Sequence, residues 1–195
     1  MNTNNNSSNS KGEALLSLAP MPIMMSFFML IYSVWWGFAF GTIGWLLFSL
    51  VCVYAVYLIT RAIRNFKKAK SYPQLQTSEG EKISKAMGIL SGISYGILWV
   101  VAIILFITKQ YRWILPAVTF IIALHFFPQA SIFKRKIDYF LGLFPLVSSL
   151  IGFYLASQNS VDWSIVYAVT GTGGAIATGG YGIYLLRSYN KIAME

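Results

Sequence analysis

The feature that most constrains this chain is a long run without charge: residues 14–60 contain no Asp, Glu, Lys or Arg. As a helix, a run of that length would extend roughly 70 Å at about 1.5 Å per residue. A bilayer core is about 30 Å thick and is crossed by about 20 residues. The run therefore predicts two membrane-spanning helices, 21–40 and 43–60, which meet at a glycine turn at Gly41-Thr42.

Four further apolar segments follow, and short polar or charged interruptions separate them. Only 11% of the residues are charged, whereas an average soluble domain has about 25%, and this composition excludes water-soluble classes. We predict an all-α integral membrane bundle of six transmembrane helices. The last four predicted spans are 86–107, 113–133, 139–156 and 164–186.

The segments outside the spans define the rest of the predicted organisation. Residues 1–13 are rich in Asn and Ser and predict a disordered polar N-terminal tail. One transmembrane domain, 14–187, follows and contains a basic loop at 61–85. Residues 188–195 form a short C-terminal tail.

The basic residues predict how the bundle is threaded. With six spans both termini lie on one side, and 13 of the 15 Lys and Arg residues then share that side. Only Lys109 and Arg112 lie on the other. Because basic residues collect on the cytoplasmic side of membrane proteins, we expect a multi-pass protein of the cell membrane with cytoplasmic termini.

The acidic residues argue against an enzyme. None of the six lies inside a predicted span, and no metalloprotease, nucleophile-elbow or phosphate-loop motif occurs. We therefore predict no catalytic residue, no metal ligand and no cofactor. Asp138 opens the fifth span, where a carboxylate favours a helix N-terminus, and we interpret it as a capping residue.

His125 is the one histidine of the chain and lies within the fourth span. Pro128 follows it and cannot donate a backbone hydrogen bond, which loosens the helix beside it. Ser148 and Ser149 of the fifth span are candidate partners. These four residues form the candidate intramembrane polar site. The histidine is either a binding or proton-handling group or a neutral side chain that is hydrogen-bonded to a neighbouring helix.

Two spans carry glycines at the spacing of a helix face, which allows neighbouring backbones to approach closely. Close packing is the interpretation we favour, and a pore-lining face is the alternative. The glycines concerned are Gly88, Gly92 and Gly96 in the third span, and Gly171, Gly174, Gly179 and Gly182 in the sixth.

Two basic clusters flank the spans and contain no acidic residue. They fix topology or attract anionic lipid, and they lack the aromatic interleaving of a nucleic-acid site, so no nucleic-acid partner is expected. The clusters consist of Arg61, Arg64, Lys67, Lys68 and Lys70, and of Lys134, Arg135 and Lys136.

The segment Leu124-His125-Phe126-Phe127-Pro128-Gln129-Ala130, followed by a basic break, resembles part of a family of small uncharacterised bacterial membrane proteins. The resemblance covers about 30 residues around it, and Gln129 stands where that family has leucine. It implies a multi-helix protein of the bacterial inner membrane and no particular activity.

Two functions remain open on the sequence. The first is a small-solute transporter or channel-like protein in which His125 and the glycine faces line the path. The second is a non-transporting membrane interaction protein, such as an immunity, assembly or regulatory partner. Besides the lipid bilayer, the expected partner is a second copy of the chain or another membrane protein.

Overall fold

The computed structural model describes residues 3–72 and 77–194, with side chains described from residue 11 onward. Within these ranges the fold is all-α, as predicted, and contains no strand. Seven helices follow one another, with a 3₁₀ turn at Tyr111–Trp113 between the fourth and the fifth. The helices are α1 (Thr3–Leu18), α2 (Met21–Ser33), α3 (Trp35–Ala69), α4 (Ser78–Ile107), α5 (Ile114–Phe133), α6 (Lys136–Ser157) and α7 (Trp163–Met194).

Five stretches of the described residues are long and apolar enough to cross a membrane. Four of them contain a predicted span whole, namely 43–60, 86–107, 113–133 and 139–156. The first predicted span, 21–40, is divided instead: 21–33 belong to the first stretch, and 35–40 open the second. The stretches are Lys11–Ser33, Trp35–Ala69, Ser78–Ile107, Tyr111–Phe133 and Lys136–Ser157.

The predicted turn between the first two spans is present at Gly41. Its φ of 56° and ψ of −132° interrupt the helical geometry of α3. A side chain is strained at such a φ, whereas glycine adopts it freely. A Cβ atom on Gly37 would lie 2.5 Å from the Trp45 ring, and one on Gly44 would meet the Trp36 carbonyl oxygen. The chain thus reverses direction at Gly41, with small residues where its two arms touch.

The basic segment 61–85, which we predicted as a loop, is largely helical among its described residues. Helix α3 continues to Ala69, and α4 begins at Ser78. Lys67 and Lys68 lie in the last turn of α3, where positive charge stabilises the carbonyl end of a helix. At this end of the bundle, α3 and α4 therefore extend beyond the predicted spans 43–60 and 86–107.

Helix α7 lies at the centre of the fold and packs against α2, α3, α5 and α6. Half of its residues are buried. Its apolar content is too low to place it among the five membrane-crossing stretches. The physical reason is that a helix enclosed by other helices need not present large apolar side chains to lipid, so small residues such as Gly, Ala and Thr replace them.

Helix α1 differs from the disordered tail that composition predicts for 1–13. The structure has helix from Thr3 to Leu18, and Leu15 is buried against Ala69 and Tyr189. The Oε2 atom of Glu13 accepts hydrogen bonds from the backbone N–H (3.0 Å) and the hydroxyl (2.6 Å) of Thr77. Thr77 in turn accepts from the N–H of Gly80 and caps α4, so α1 is tied to the start of α4.

Helix α4 stands at the edge of the bundle. It packs mainly against α5, and Ser94 is its one buried residue. Most of its surface therefore faces away from the rest of the chain. Because α4 is at the edge, His125 of α5 contacts α4, and the third-span glycines have no neighbouring helix among the described residues.

Candidate functional site

His125 lies on the face of α5 that meets α4. Its Nδ1 atom is 3.0 Å from the Oγ atom of Ser94, and its ring centroid is 6.3 Å from that of Tyr95. The side chain is half-buried. The geometry is that of a histidine hydrogen-bonded to a serine of a neighbouring helix, which is the structural alternative raised from the sequence.

The structure does not bring the four residues of the candidate polar site together. Pro128 is exposed, and α5 continues through it to Phe133. Ser148 donates to the carbonyl of Thr170 on α7 (2.9 Å), and Ser149 donates to a carbonyl of its own helix. The reason is geometric: α5 lies between α4 and α6, so His125 and the two serines project from different interfaces.

A polar cluster that we did not predict joins α5, α6 and α7. The Nε2 atom of Gln129 donates to the Oδ1 atom of Asp138 (3.0 Å) and to the hydroxyl of Tyr181 (3.1 Å). Arg135 donates to the same hydroxyl at 3.1 Å. Asp138 is 0% exposed, and its Oδ2 atom has no hydrogen-bond partner among the described residues. Asp138 is therefore a member of a buried cluster rather than the helix-capping residue that we expected.

One signal in the sequence pointed to this cluster. Gln129 lies in an otherwise apolar stretch near the end of α5, and Asp138 lies in the first turn of α6. Two helices joined by a short turn place such residues opposite each other. A polar residue on each side of a tight interhelical turn is thus a pattern that predicts a buried pair, because an amide in the interior needs a partner.

Two cavities lie at opposite ends of α7. The larger, of about 610 Å³, is lined by Tyr111, Arg112, Asn159, Ser160, Val161, Asp162, Trp163 and Tyr167. The smaller, of about 290 Å³, is lined by Leu18, Arg135, Tyr184, Ser188, Lys191 and Ile192. His125 lines neither of these two cavities, so neither of them is a candidate site for a ligand of the histidine.

The larger cavity is bordered by two charged residues that already have partners. Arg112 donates to the carbonyls of Gln158 and Val161, both at 2.7 Å, and thereby caps the carbonyl end of α6. Asp162 accepts from the hydroxyl and the backbone N–H of Ser164. These two hydrogen bonds hold the pKa of the Asp162 carboxyl below its ordinary value of 3.8. Both charges serve the local structure of the α6–α7 connection.

The glycines of α7 all lie against another helix. A Cβ atom on Gly171 would meet the backbone carbonyl of Tyr32, and one on Gly174 would lie 2.6 Å from the Tyr32 ring. One on Gly179 would lie 2.9 Å from the sulfur of Met29, and one on Gly182 would lie 2.8 Å from Leu58. The space beside these four glycines is thus filled by α2 or α3.

The glycines of α4 have the opposite surroundings. A Cβ atom added to Gly88, Gly92 or Gly96 would have no described atom within 4 Å outside its own helical backbone. All three are exposed. Among the described residues, the third-span glycines therefore pack against no other helix, in contrast to the close packing that their spacing predicts.

The basic clusters lie on exposed surface at the predicted cytoplasmic end. The five basic residues of the first cluster are all exposed near the end of α3, while Ala62, Asn65 and Ala69 of the same segment are buried. In the second cluster Lys134 and Lys136 are exposed, and Arg135 is half-buried. Arg135 differs from the other basic residues because it takes part in the interior cluster.

The described residues thus form an all-α fold with five stretches long and apolar enough to cross a membrane, as a membrane protein has. The chain matches no protein-family model, and neither the curated proteins nor the solved structures gave a match. Its function is therefore argued from its own geometry.

Proposed function

We propose that this is a non-transporting membrane interaction protein, in which α4 binds a transmembrane helix of another molecule. The observation that carries the proposal is the contrast between the two sets of glycines. Those of α7 are filled by neighbouring helices, and those of α4 are open. In membranes, glycines spaced by four residues support association because they let two helix backbones approach closely.

The residues beside the α4 glycines strengthen the proposal. Each glycine is followed by an isoleucine, and Ile89, Ile93 and Ile97 are 56%, 58% and 51% exposed. A β-branched side chain has few rotamers in a helix and loses little entropy when it is packed. The glycines form a groove and the isoleucines a ridge beside it, which is a surface ready to receive another helix.

A second copy of the chain is the partner that we propose. A two-fold axis brings the same surface of two subunits together, so a groove with an adjacent ridge is self-complementary. Both copies would then place the ridge of one α4 in the groove of the other. The hydrogen bond between Ser94 and His125 would hold α4 on α5 in each subunit.

We further propose that α7 is the sixth span and that both termini are cytoplasmic. The 13-to-2 distribution of the basic residues supports this threading. Single cysteines at Lys109 and at Lys134, in a Cys52→Ser background, test it in intact cells. A membrane-impermeant thiol reagent should label the first and spare the second, and the reverse pattern would refute the orientation.

The association proposal is tested by energy transfer between donor- and acceptor-labelled full-length chains in liposomes. Gly92→Ile should weaken association by about tenfold or more, because it fills the groove. The monomer should tolerate it, since no atom lies within 4 Å of the new Cβ. Val53→Phe is the control, because it adds bulk at an exposed position of α3, outside the proposed α4 surface. No specific transfer in the wild type, or equal transfer in both variants, would refute dimerisation through this face.

Transport is the second candidate, and the two cavities at opposite ends of α7 favour it. A transporter closed at both ends would have two vestibules that are separated by a packed middle. Thr170 lies in that middle and is 0% exposed. A cysteine at position 170, in the Cys52→Ser background, should resist water-soluble thiol reagents in an interaction protein. Rapid labelling from either side would favour transport.

A further inference from the structure

The smaller cavity has the composition of an anion site. We name it the basic pocket and define it by the six residues Leu18, Arg135, Tyr184, Ser188, Lys191 and Ile192. It lies where the end of α1, the start of α6 and the last turns of α7 meet. Tyr184, Ser188 and Lys191 are spaced by four and three residues, so they project from one face of α7.

The guanidinium of Arg135 is positioned by two contacts. It donates one hydrogen bond to Tyr181, and its central carbon lies 4.2 Å from the centroid of the Phe133 ring. A guanidinium has five N–H donors in a planar fork, which suits two oxygens of one phosphate. Its remaining donors are not hydrogen-bonded to any described residue. Arg135 is therefore held in place while its other N–H groups remain able to bind an anion.

The other polar groups of the basic pocket are also donors without a protein partner. The hydroxyls of Tyr184 and Ser188 and the ammonium of Lys191 make no hydrogen bond within the described part of the chain. None of the described residues that line the pocket carries a carboxylate. The nearest acid in the network, Asp138, is connected to Arg135 only through Gln129 and Tyr181. Two positive charges thus face this cavity, and no described residue of its wall neutralises them.

We propose that the basic pocket binds a phosphate group, with Arg135 and Lys191 as its charged ligands and Ser188 as a hydroxyl donor. Charge-assisted hydrogen bonds from arginine to phosphate are among the strongest that proteins make. The phosphate belongs either to the headgroup of an anionic phospholipid or to a soluble phosphate compound. The apolar walls, Leu18 and Ile192, suit the glycerol and acyl parts of a lipid, and basic pockets between helices at the cytoplasmic side bind such headgroups.

The test uses the purified full-length protein and two probes. In the first arm, native mass spectrometry counts bound phosphatidylglycerol and bound phosphatidylcholine with identical acyl chains. In the second arm, calorimetry measures binding of inorganic phosphate in a neutral detergent. The pocket variant is Arg135→Gln with Lys191→Gln. Its matched control is Lys136→Gln with Arg187→Gln, which removes the same charge from adjacent exposed positions outside the pocket.

We expect the wild type to retain phosphatidylglycerol in preference to phosphatidylcholine, and the pocket variant to lose about tenfold or more of that preference. Binding of inorganic phosphate with the same dependence on the variant, but without lipid preference, would assign the site to a soluble phosphate. If the double variant misfolds, Lys191→Gln alone is measured instead, because Lys191 is exposed and its replacement should not disturb folding. It should also lower the preference for phosphatidylglycerol. If neither probe binds, or if the control double loses as much binding as the pocket variant, the proposal is overturned.

Discussion

Replacing Gly171 by alanine should push α2 away from α7, the helix at the centre of the bundle. The added Cβ atom would meet the carbonyl oxygen of Tyr32 and would lie 3.1 Å from its carbonyl carbon, whereas ordinary contacts begin near 3.4 Å. The obstacle is backbone, which cannot rotate away as a side chain can. Helix α2 would therefore have to shift as a unit.

The size of the effect follows from two opposing terms. Overpacking a well-packed interior costs about 1–3 kcal/mol. Replacing glycine by alanine inside a helix contributes up to about 1 kcal/mol in the other direction. We expect Gly171→Ala to lower the free energy of unfolding by about 1–2 kcal/mol. Gly92→Ala has the same chemistry in open space, so it should be neutral or stabilising by up to about 1 kcal/mol.

Reversible unfolding in mixed detergent micelles, followed by far-ultraviolet circular dichroism, measures the difference. The protein concentration must keep the chain monomeric, so that an effect on association at Gly92 does not enter. The two variants should differ by about 1–3 kcal/mol, with Gly171→Ala the less stable. A Gly171→Ala protein as stable as Gly92→Ala would refute the packing that we describe for α2 and α7.

Three further predictions concern the polar residues. Asp138→Ala removes one of the two acceptors of the buried Gln129 amide and should lower the free energy of unfolding by about 1–3 kcal/mol in the same assay. Asp138→Asn keeps a carbonyl oxygen as acceptor and should be less harmful, so equal effects of the two variants would contradict the hydrogen-bonded cluster. A double-mutant cycle of Ser94→Ala and His125→Ala should give a coupling of about 0.5–1 kcal/mol, and zero coupling would refute their hydrogen bond. Because the pKa of Asp162 is lowered, its contribution to stability is present above pH 3.8 and is lost as the pH falls through the depressed value. Acid titration of Asp162→Asn should lack that loss, and identical titrations would exclude the contribution.

The pattern of charges predicted the class of the protein because it depends only on local composition. A run of 14–60 without charge cannot be a soluble surface, and its length requires a reversal. The position of that reversal was also predictable from a short segment, because glycine is the residue that readily adopts the φ of 56° found at Gly41. The sixth span, 164–186, stays a prediction, because α7 is enclosed by protein and its composition no longer reflects contact with lipid.

The sites were less predictable, because helical periodicity tells which residues share a face and not what lies opposite. The glycines of α4 and α7 have the same kind of spacing, yet one set is open and the other is filled. His125 and Ser148 were plausible neighbours until the structure placed them in different interfaces.

The sequence by itself determined that the chain is a bundle of apolar helices with a tight turn at Gly41, since helix length, charge and backbone freedom are properties of short segments. Only the tertiary structure decided that α7 is central, that α4 is peripheral and that Asp138 is buried beside Gln129. The physical reason is that burial depends on which helices pack together. That arrangement arises from many weak contacts between distant segments rather than from any one of them.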